Sequence, residues 1–338
     1  MKKVMITKAG TVDVLAVQEF APPVAQSHEV VISTKACGIN FADILARQGL
    51  YPDAPPLPAC VGYEYSGIIT QLGADVDHAW KGKAVFGLTR FNGYADTVCV
   101  PVDQVFEKPE SLSFEQAAAI PVNYLTAWQL LIVMGALSAT DSVLIHNAGG
   151  GVGLAALEIA KRVGAKVYGT ASPGKHAFLK HRGLDYAIDY RSSDWAQELK
   201  SLTDGKGVEL IIDPIGGNHW RKSYRTLRAT GRLGMFGISA ASDSGWYGKL
   251  KLLKTALQIP FFHPISLMNN NKSVFGVNMG HLWHENAKVR QWMMEILKGV
   301  DDEWITPHVD RAFTFEQAAA AHQYIEDRKN IGKVLLIP

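Results

Sequence analysis

The chain has 338 residues, 47% of them apolar and 20% charged, with a formal net charge of +2. That length carries two domains with cores of their own, and that composition excludes a disordered chain. So small a net charge provides no basic face for nucleic acid, while Cys37, Cys60 and Cys99, odd in number and far apart, exclude a disulfide scaffold and suit a reducing compartment. The opening Met1-Lys2-Lys3-Val4-Met5-Ile6-Thr7 turns polar too soon for a secretory signal. The most apolar stretch, Val122 to Leu137, is broken by Asn123 and Gln129 and falls short of a membrane span, so it reads as a buried helix. A soluble, cytoplasmic protein is expected.

From Lys2 to about Pro109 the sequence is rich in strands punctuated by glycine and proline. Glu29 to Ala36 alternates as a half-buried strand does, and Gly62 to Leu72, Gly82 to Thr89 and Gly93 to Val100 follow, which predicts a partly closed antiparallel barrel. From Ser113 the pattern turns helical, at Phe114 to Ala119 and Tyr124 to Met134. Strands then alternate with helices: Ser142 to Ile145, Leu154 to Val163, Lys166 to Thr170, Lys175 to Arg182, Tyr186 to Asp189 and Trp195 to Leu202. Glu209 to Asp213, Arg221 to Leu227 and Gly231 to Gly237 continue the alternation, which builds a parallel sheet covered on both faces. Lys272 to Val277 supplies a sixth strand, and a helix (Phe315 to Arg328) and a strand (Gly332 to Ile337) return to the first domain.

Between the fifth and sixth of these strands, Trp246 to Leu267 is greasy, with Leu250, Leu252, Leu253, Leu257, Ile259, Phe261 and Phe262 flanked by Lys249, Lys251 and Lys254. Pro260 and Pro264 preclude one continuous amphipathic helix. The segment reads as a connector that buries its apolar side on the sheet or on a dimer mate; a lid or a lipid-contacting surface is the alternative.

The segment richest in chemistry is Asn147-Ala148-Gly149-Gly150-Gly151-Val152-Gly153, set between an apolar strand and an amphipathic helix. Read as Ala148-x-Gly150-x-x-Gly153, it is a variant of the dinucleotide fingerprint in the context that fingerprint needs. Gly150 admits a pyrophosphate close to the backbone, Gly153 lets the helix pack close to the strand, and the N–H groups of the helix start at Gly151 and Val152 face the negative charge. An NAD site usually places an acidic residue about 20 positions beyond the glycines. Here none occurs between Glu158 and Asp185, and the second strand runs into Thr170-Ala171-Ser172 followed by Lys175. Ser172 and Lys175 can donate to a 2′-phosphate that a carboxylate would repel, and Tyr190 ends the next strand on the same side, so NADPH is the expected cofactor. Gly237, at the end of the fifth strand, joins the expected cofactor-contacting residues.

Beyond the glycine loop, the matching pieces run the length of the chain: Ala36-Cys37-Gly38-Ile39-Asn40 through Gly49-Leu50-Tyr51, Gly62-Tyr63-Glu64-Tyr65-Ser66-Gly67, Leu125-Thr126-Ala127-Trp128, Asp213-Pro214-Ile215-Gly216-Gly217 and Lys329-Asn330-Ile331-Gly332-Lys333. On these the chain resembles the zinc-independent quinone oxidoreductases of the medium-chain dehydrogenase/reductase superfamily. Phe275-Gly276-Val277-Asn278-Met279-Gly280 and Ile305-Thr306-Pro307-His308-Val309-Asp310 point to the synaptic-vesicle VAT-1-like branch. The resemblance implies an α/β protein: a GroES-like β-barrel catalytic domain over residues 1–122, completed by 278–338, and a Rossmann doubly wound parallel-sheet domain over 123–277. The NADP cofactor would lie in the cleft between them, and a homodimer would form through the edge strand near Lys272 to Val277.

By the same resemblance Asn40 and Tyr51 line that cleft, Asn40 donating to an acceptor oxygen and Tyr51 orienting the substrate or donating a proton. Thr126 lies near the nicotinamide ribose or amide, and Asn330 with the Phe275 to Val277 backbone completes the nicotinamide end. Zinc-dependent relatives carry a Cys at the position of Asn40 and a His at that of Tyr63; an amide and a phenol are poor zinc ligands, so catalysis without metal is expected. His281-x-x-His284-Glu285 reads as paired surface histidines, and Cys37 and Cys60 as packing thiols. A quinone accepts hydride into a conjugated system that spreads the charge itself, whereas an isolated ketone calls for a Lewis acid. The expected activity is NADPH-dependent reduction of quinones or related conjugated carbonyls. The alternatives are reduction of an enoyl or alkenal double bond, and an NADPH-binding protein whose work is lipid, membrane or protein association.

Overall fold

The computed structural model describes residues 1–241 and 245–338. Two compact units form, one from Met1–Leu125 and Gly280–Pro338, the other mainly from residues 126–241 and Lys249–Met279. In chain order the first unit contributes β1 (Lys2–Ile6), β2 (Leu15–Glu19), β3 (Glu29–Gly38), α1 (Phe41–Arg47), β4 (Glu64–Leu72), β5 (Ala84–Leu88), β6 (Thr97–Pro101), β7 (Val105–Glu107) and α2 (Phe114–Ala118). Helix α3 (Pro121–Trp128) continues into a π-helical turn, Gln129–Val133. The second unit contributes β8 (Ser142–Ile145), α4 (Gly151–Val163), β9 (Lys166–Ala171), α5 (Pro173–His181), β10 (Tyr186–Asp189), α6 (Trp195–Leu202), β11 (Val208–Asp213), α7 (Asn218–Thr226), β12 (Leu227–Met235), α8 (Gly245–Leu257), α9 (Pro264–Asn270) and β13 (Ser273–Gly276). The chain then returns to the first unit with α10 (Asn286–Asp301), β14 (Val309–Thr314), α11 (Ala318–Glu326) and β15 (Lys333–Ile337).

In the first unit β3 is the hub. Its run Val30-Val31-Ile32 is buried, and the strand pairs with β4, β6 and β15, all antiparallel. The seven-stranded sheet runs β14-β15-β3-β4-β5-β7 with β6 on β3, and β1 and β2 form a separate antiparallel pair. The strands expected between Glu29 and Val100 pair antiparallel, whereas β14, which the sequence pattern does not mark, pairs with β15 in parallel. Helix α11 lies between them in the chain, and a parallel pair requires a crossover of that length. Helix α2 starts in a reciprocal cap: Ser113 Oγ accepts the Gln116 N–H at 3.2 Å, and Gln116 Oε1 accepts the Ser113 N–H at 2.9 Å.

The second unit is a six-stranded sheet, order β10-β9-β8-β11-β12-β13, parallel throughout. Counted along the sheet these are the third, second, first, fourth, fifth and sixth strands of the unit, the doubly wound order of dinucleotide-binding folds. The strand order reverses between β8 and β11, and in such sheets ligands bind beyond the carboxyl ends of the strands at that reversal. Leu144, Tyr168, Ile188, Leu199, Ile211 and Leu233 are buried together in its core.

The greasy connector breaks at its prolines into α8 and α9, but its apolar side is not buried on the sheet. Leu253, Leu257 and Phe261 are 58%, 79% and 86% exposed, and Ile265 and Met268 are open as well. Of its described aromatics, Phe262 packs inward, its ring 5.2 Å from that of Tyr224. The side chains of Trp246 and Lys249 in the same reading lie outside the described residues. Among the described residues no helix is long and apolar enough to cross a membrane.

Candidate active site

The glycine loop follows β8 directly. Asn147 turns the chain in the left-handed region (φ 54°), and the Ala148 N–H then bonds the Thr170 carbonyl of β9 at 3.1 Å. Gly150 occupies the N-cap of α4 in extended conformation. The first bond of the helix runs from the Leu154 N–H to the Gly150 carbonyl at 2.9 Å, which leaves the N–H groups of Gly151, Val152 and Gly153 at the helix start for an anion. A Cβ at Gly153 would collide with the Asn147 carbonyl oxygen, so close packing demands glycine there, while one at Gly150 would come within 2.7 Å of Asn147 Nδ2 and displace that amide. A Cβ at Gly149 would meet the Lys175 Cδ at 2.8 Å, which shows the lysine stem lying over the loop.

Ser172 is the N-cap of α5 at the end of β9, and its hydroxyl makes no capping bond. Tyr190 follows β10, half-buried at the edge of the core. No carboxylate stands at the end of β9, where Thr170, Ala171 and Ser172 succeed one another. These residues fit a phosphorylated dinucleotide: a cradle only glycine can form, a helix start, and a lysine over the loop. Beyond β12, a Cβ at Gly237 would lie 3.1 Å from the Pro214 carbonyl, so the chain ends leaving β11 and β12 are close. The Val277 N–H bonds the Met235 carbonyl at 2.9 Å, and the Phe275 ring covers Gly234, where a Cβ would meet it at 2.8 Å. Thr126 is buried on α3.

Beneath the loop lies a polar network that reading the sequence did not reveal. His146 Nδ1 is 3.0 Å from Thr170 Oγ1 and its Nε2 is 3.3 Å from Ser223 Oγ. Ser223 donates to Asp213 Oδ2 at 2.7 Å, and the same oxygen lies 2.6 Å from His219 Nδ1. Asp213 Oδ1 accepts the Ile215 N–H at 2.8 Å. The network ties the ends of β8, β9 and β11 together. Burial drives the His146 pKa down to about 3, so the ring is neutral. For Asp213 burial pushes upward, but the His219 hydrogen bond, the neighbouring imidazoles and Ser223 outweigh it and leave the carboxyl below its ordinary range. The ligand atoms of His146, Asp213 and His219 lie within 4.8 Å of one another. Each of them is already hydrogen-bonded, so the cluster is a complete network of its own. No motif spacing announces residues 146, 170, 213, 219 and 223; the register of β8, β9 and β11 and the packing of α7 bring them together.

In the first unit Asn40 precedes α1, and the Asp43 carboxylate accepts its backbone N–H at 2.8 Å. The Asn40 side chain is turned elsewhere. Its Nδ2 donates to Glu64 Oε1 at 2.9 Å, and its Oδ1 accepts from Lys333 Nζ at 2.7 Å. Lys333 also pairs directly with Glu64, and both side chains are buried. Glu64 Oε2 accepts the Val122 N–H at 2.8 Å. A Cβ at Gly38 would strike the same carboxylate. Asp43 is sealed off, and burial raises its pKa to about 6 against the bonds it accepts from Asn40, Tyr94 and Gly62. Tyr51 packs on the core, and the buried Tyr63 phenol lies beside it; burial first and Tyr51 second push the Tyr63 pKa up, so it stays neutral. Asn330 Nδ2 donates to the Gly332 carbonyl at 2.9 Å, which shapes the turn into β15. Burial lifts the Cys37 thiol far up and the Cys60 thiol to about 12, which marks both as packing groups.

A cavity of about 170 Å³ opens in the same unit, lined by Tyr63, Phe91, Trp283, Arg90, Asp53, His281, His284 and Gly280. His281 Nε2 lies 2.7 Å from Asp53 Oδ2, so the two histidines of the His281-x-x-His284 spacing sit on the cavity wall, one of them held by a carboxylate.

Two family descriptions match the chain: an alcohol dehydrogenase GroES-like domain over residues 26–110 and a zinc-binding dehydrogenase over residues 151–297. The human synaptic vesicle membrane protein VAT-1 homolog is 35% identical, over 100% of this chain and 86% of its own length. Among solved structures, an Escherichia coli quinone oxidoreductase complexed with NADPH superposes with a TM-score of 0.87 at 29% identity, covering 100% of both chains. The CurK enoyl reductase does so with a TM-score of 0.85 at 26% identity, covering 99% of this chain and 98% of its own.

Proposed function

The chain belongs to the medium-chain dehydrogenase/reductase family, among its quinone oxidoreductase-like members near the VAT-1 branch, and on that premise we propose that it is an NADPH-dependent, zinc-independent reductase of quinones and related conjugated carbonyls. The observation that carries the reading is the end of β9: a serine, a lysine over the glycine loop, and no carboxylate to repel a 2′-phosphate. Ala148, Gly150, Gly151, Val152 and Gly153 hold the pyrophosphate, Ser172, Lys175 and Tyr190 the adenosine phosphate, and Gly237, Phe275 and Val277 the far end of the dinucleotide, with Thr126 and Asn330 contributing there. The reduced nicotinamide supplies the hydride.

The donor set argues against zinc. At the positions where zinc-dependent relatives carry ligands stand the Asn40 amide and the Tyr63 phenol, and the Glu64 carboxylate is already committed to Lys333, Asn40 and Val122. Asn40 is clamped between an anion at its Nδ2 and a cation at its Oδ1, so its orientation is set and its second Nδ2–H remains for an acceptor carbonyl oxygen. That donor is fixed before reaction and stabilises the oxygen as it gains charge. The acceptor gains a hydride and then one proton on oxygen, and Tyr51 donates that proton or passes it from water.

Loss of NADPH absorbance in a stopped-flow instrument, with a panel of quinones and enones, tests the reading. Turnover faster with NADPH than with NADH supports it; no turnover with any member of the panel overturns it. The CurK likeness supports the enoyl alternative, and product analysis on paired quinone and enone substrates separates the two. The open Leu253 and Leu257 of α8 and Phe261 between α8 and α9, with β13 an edge strand, support association, with a second copy or with lipid.

A further inference from the structure

The cavity of the first unit has a composition of its own. Tyr63 and Trp283 stand nearly parallel, 13° apart with ring centroids at 6.5 Å, and Phe91 adds a third ring, 5.1 Å from Tyr63. Its volume, about 170 Å³, is near that of cavities known to take a single aromatic ring, roughly 150 Å³. Phe91 and Asn92 keep φ at 67° and 59°, a left-handed conformation that side chains with a Cβ rarely adopt and that persists where surrounding structure imposes it, often at ligand sites. The Trp283 Nε1–H is buried with no acceptor among the described residues.

The polar rim holds one carboxylate, one guanidinium and two imidazoles. The Asp53 carboxylate lies 2.7 Å from His281 Nε2. Arg90 is exposed and forms no ion pair among the described residues, and His284 stands beside it on the wall. Aromatic faces with one free guanidinium at the edge suit a flat ring carrying a negative group, since guanidinium meets carboxylate or sulfonate oxygens with paired donors.

Resting on the reductase reading above, we propose that this cavity takes one ring of the acceptor and selects flat, conjugated, anionic molecules, that ring lying against Tyr63 and Trp283 with its negative substituent on Arg90 while the rest of the molecule stays outside, on the side of Tyr51. The substrate class is then an aromatic or quinonoid acid rather than a neutral quinone.

Binding is read by calorimetry on the full chain, with naphthalene-2-sulfonate as the probe and 2-naphthalenemethanol as its neutral counterpart. The sulfonate is expected to bind about tenfold more tightly, with a preference that shrinks as salt rises. Arg90→Gln, a change to an exposed side chain, is expected to abolish that preference while leaving the alcohol's affinity and NADPH affinity unchanged. Equal affinity for the two probes, or a preference that survives Arg90→Gln, overturns the proposal. Turnover with 1,4-naphthoquinone-2-sulfonate and with 2-methyl-1,4-naphthoquinone separates it from its premise. A sulfonate that binds through Arg90 without either quinone being reduced sinks the reductase reading alone. Brisk reduction of the neutral quinone with no charge preference sinks the cavity assignment alone.

Discussion

Lys333, the first residue of the last strand, sets its ammonium on the Glu64 carboxylate, and the two side chains are 3% and 0% exposed. Between them they orient Asn40. Lys333→Met therefore strands a buried anion, and a loss of about 3–5 kcal/mol is expected in urea or thermal unfolding. The double variant Lys333→Met/Glu64→Gln should regain part of that loss, because it removes the uncompensated charge. A single variant as stable as the parent would show that the pair is not buried.

The cofactor preference should lie at the end of β9. Lys175→Ala and Ser172→Ala are each expected to weaken NADPH about tenfold while leaving NADH nearly unchanged, the loss of one charge-assisted contact. Ser172→Asp should reverse the preference by repelling the 2′-phosphate. Parallel fluorescence titrations with the two dinucleotides read both effects, and equal losses for NADH and NADPH would count against the assignment.

The fold should weaken in mild acid. His146 and His322 are buried neutral with pKa values held down to about 3, whereas an unfolded histidine titrates near 6.5. Between roughly pH 6.5 and pH 4 the unfolded chain therefore takes up protons that the folded chain refuses, and stability falls as pH falls. Asp43 works the other way: its pKa of about 6 means the folded chain holds a proton there that the unfolded chain releases, so its contribution is lost as pH rises from about 4 to about 6. Two histidines against one aspartate leave a net loss of roughly 1–2 kcal/mol per pH unit near pH 5. Urea midpoints measured from pH 7 to pH 4.5 check this, and His322→Asn should flatten the slope.

The open apolar side of α8 and α9 makes a fourth prediction. Leu253, Leu257 and Phe261 are largely solvent-exposed, so Leu253→Lys/Leu257→Lys should change chain stability by less than about 0.5 kcal/mol. If that face is covered by a second copy, sedimentation should show the double variant shifted to a smaller species. Co-sedimentation with liposomes that the same change abolishes would assign the face to lipid.

Much of the architecture was legible in local pattern. Ser142 to Ile145, the Ala148-x-Gly150-x-x-Gly153 loop and the strands that follow announce themselves through neighbouring residues, because a tight turn, a helix start and a buried parallel strand each constrain a few consecutive positions. The parallel pairing of β14 with β15 was not legible, since alternation within a strand says nothing of its neighbour's direction. Nor was the exposure of Leu253 and Leu257: an apolar run shows what avoids water, not whether the chain itself covers it.

The sequence by itself determined the fold class, the two-part organisation of the chain and the chemistry of the dinucleotide loop, because each of these is written in residues close together. Tertiary structure alone decided which distant groups share one dry space. Glu64 meets Lys333, His146 meets Ser223 and through it Asp213, and Tyr63 meets Trp283 only once strands and loops tens to hundreds of positions apart are packed. The physical reason is that desolvation acts through space: a carboxylate or a ring acquires its energetic character from what surrounds it in the folded core, and no local spacing encodes those surroundings.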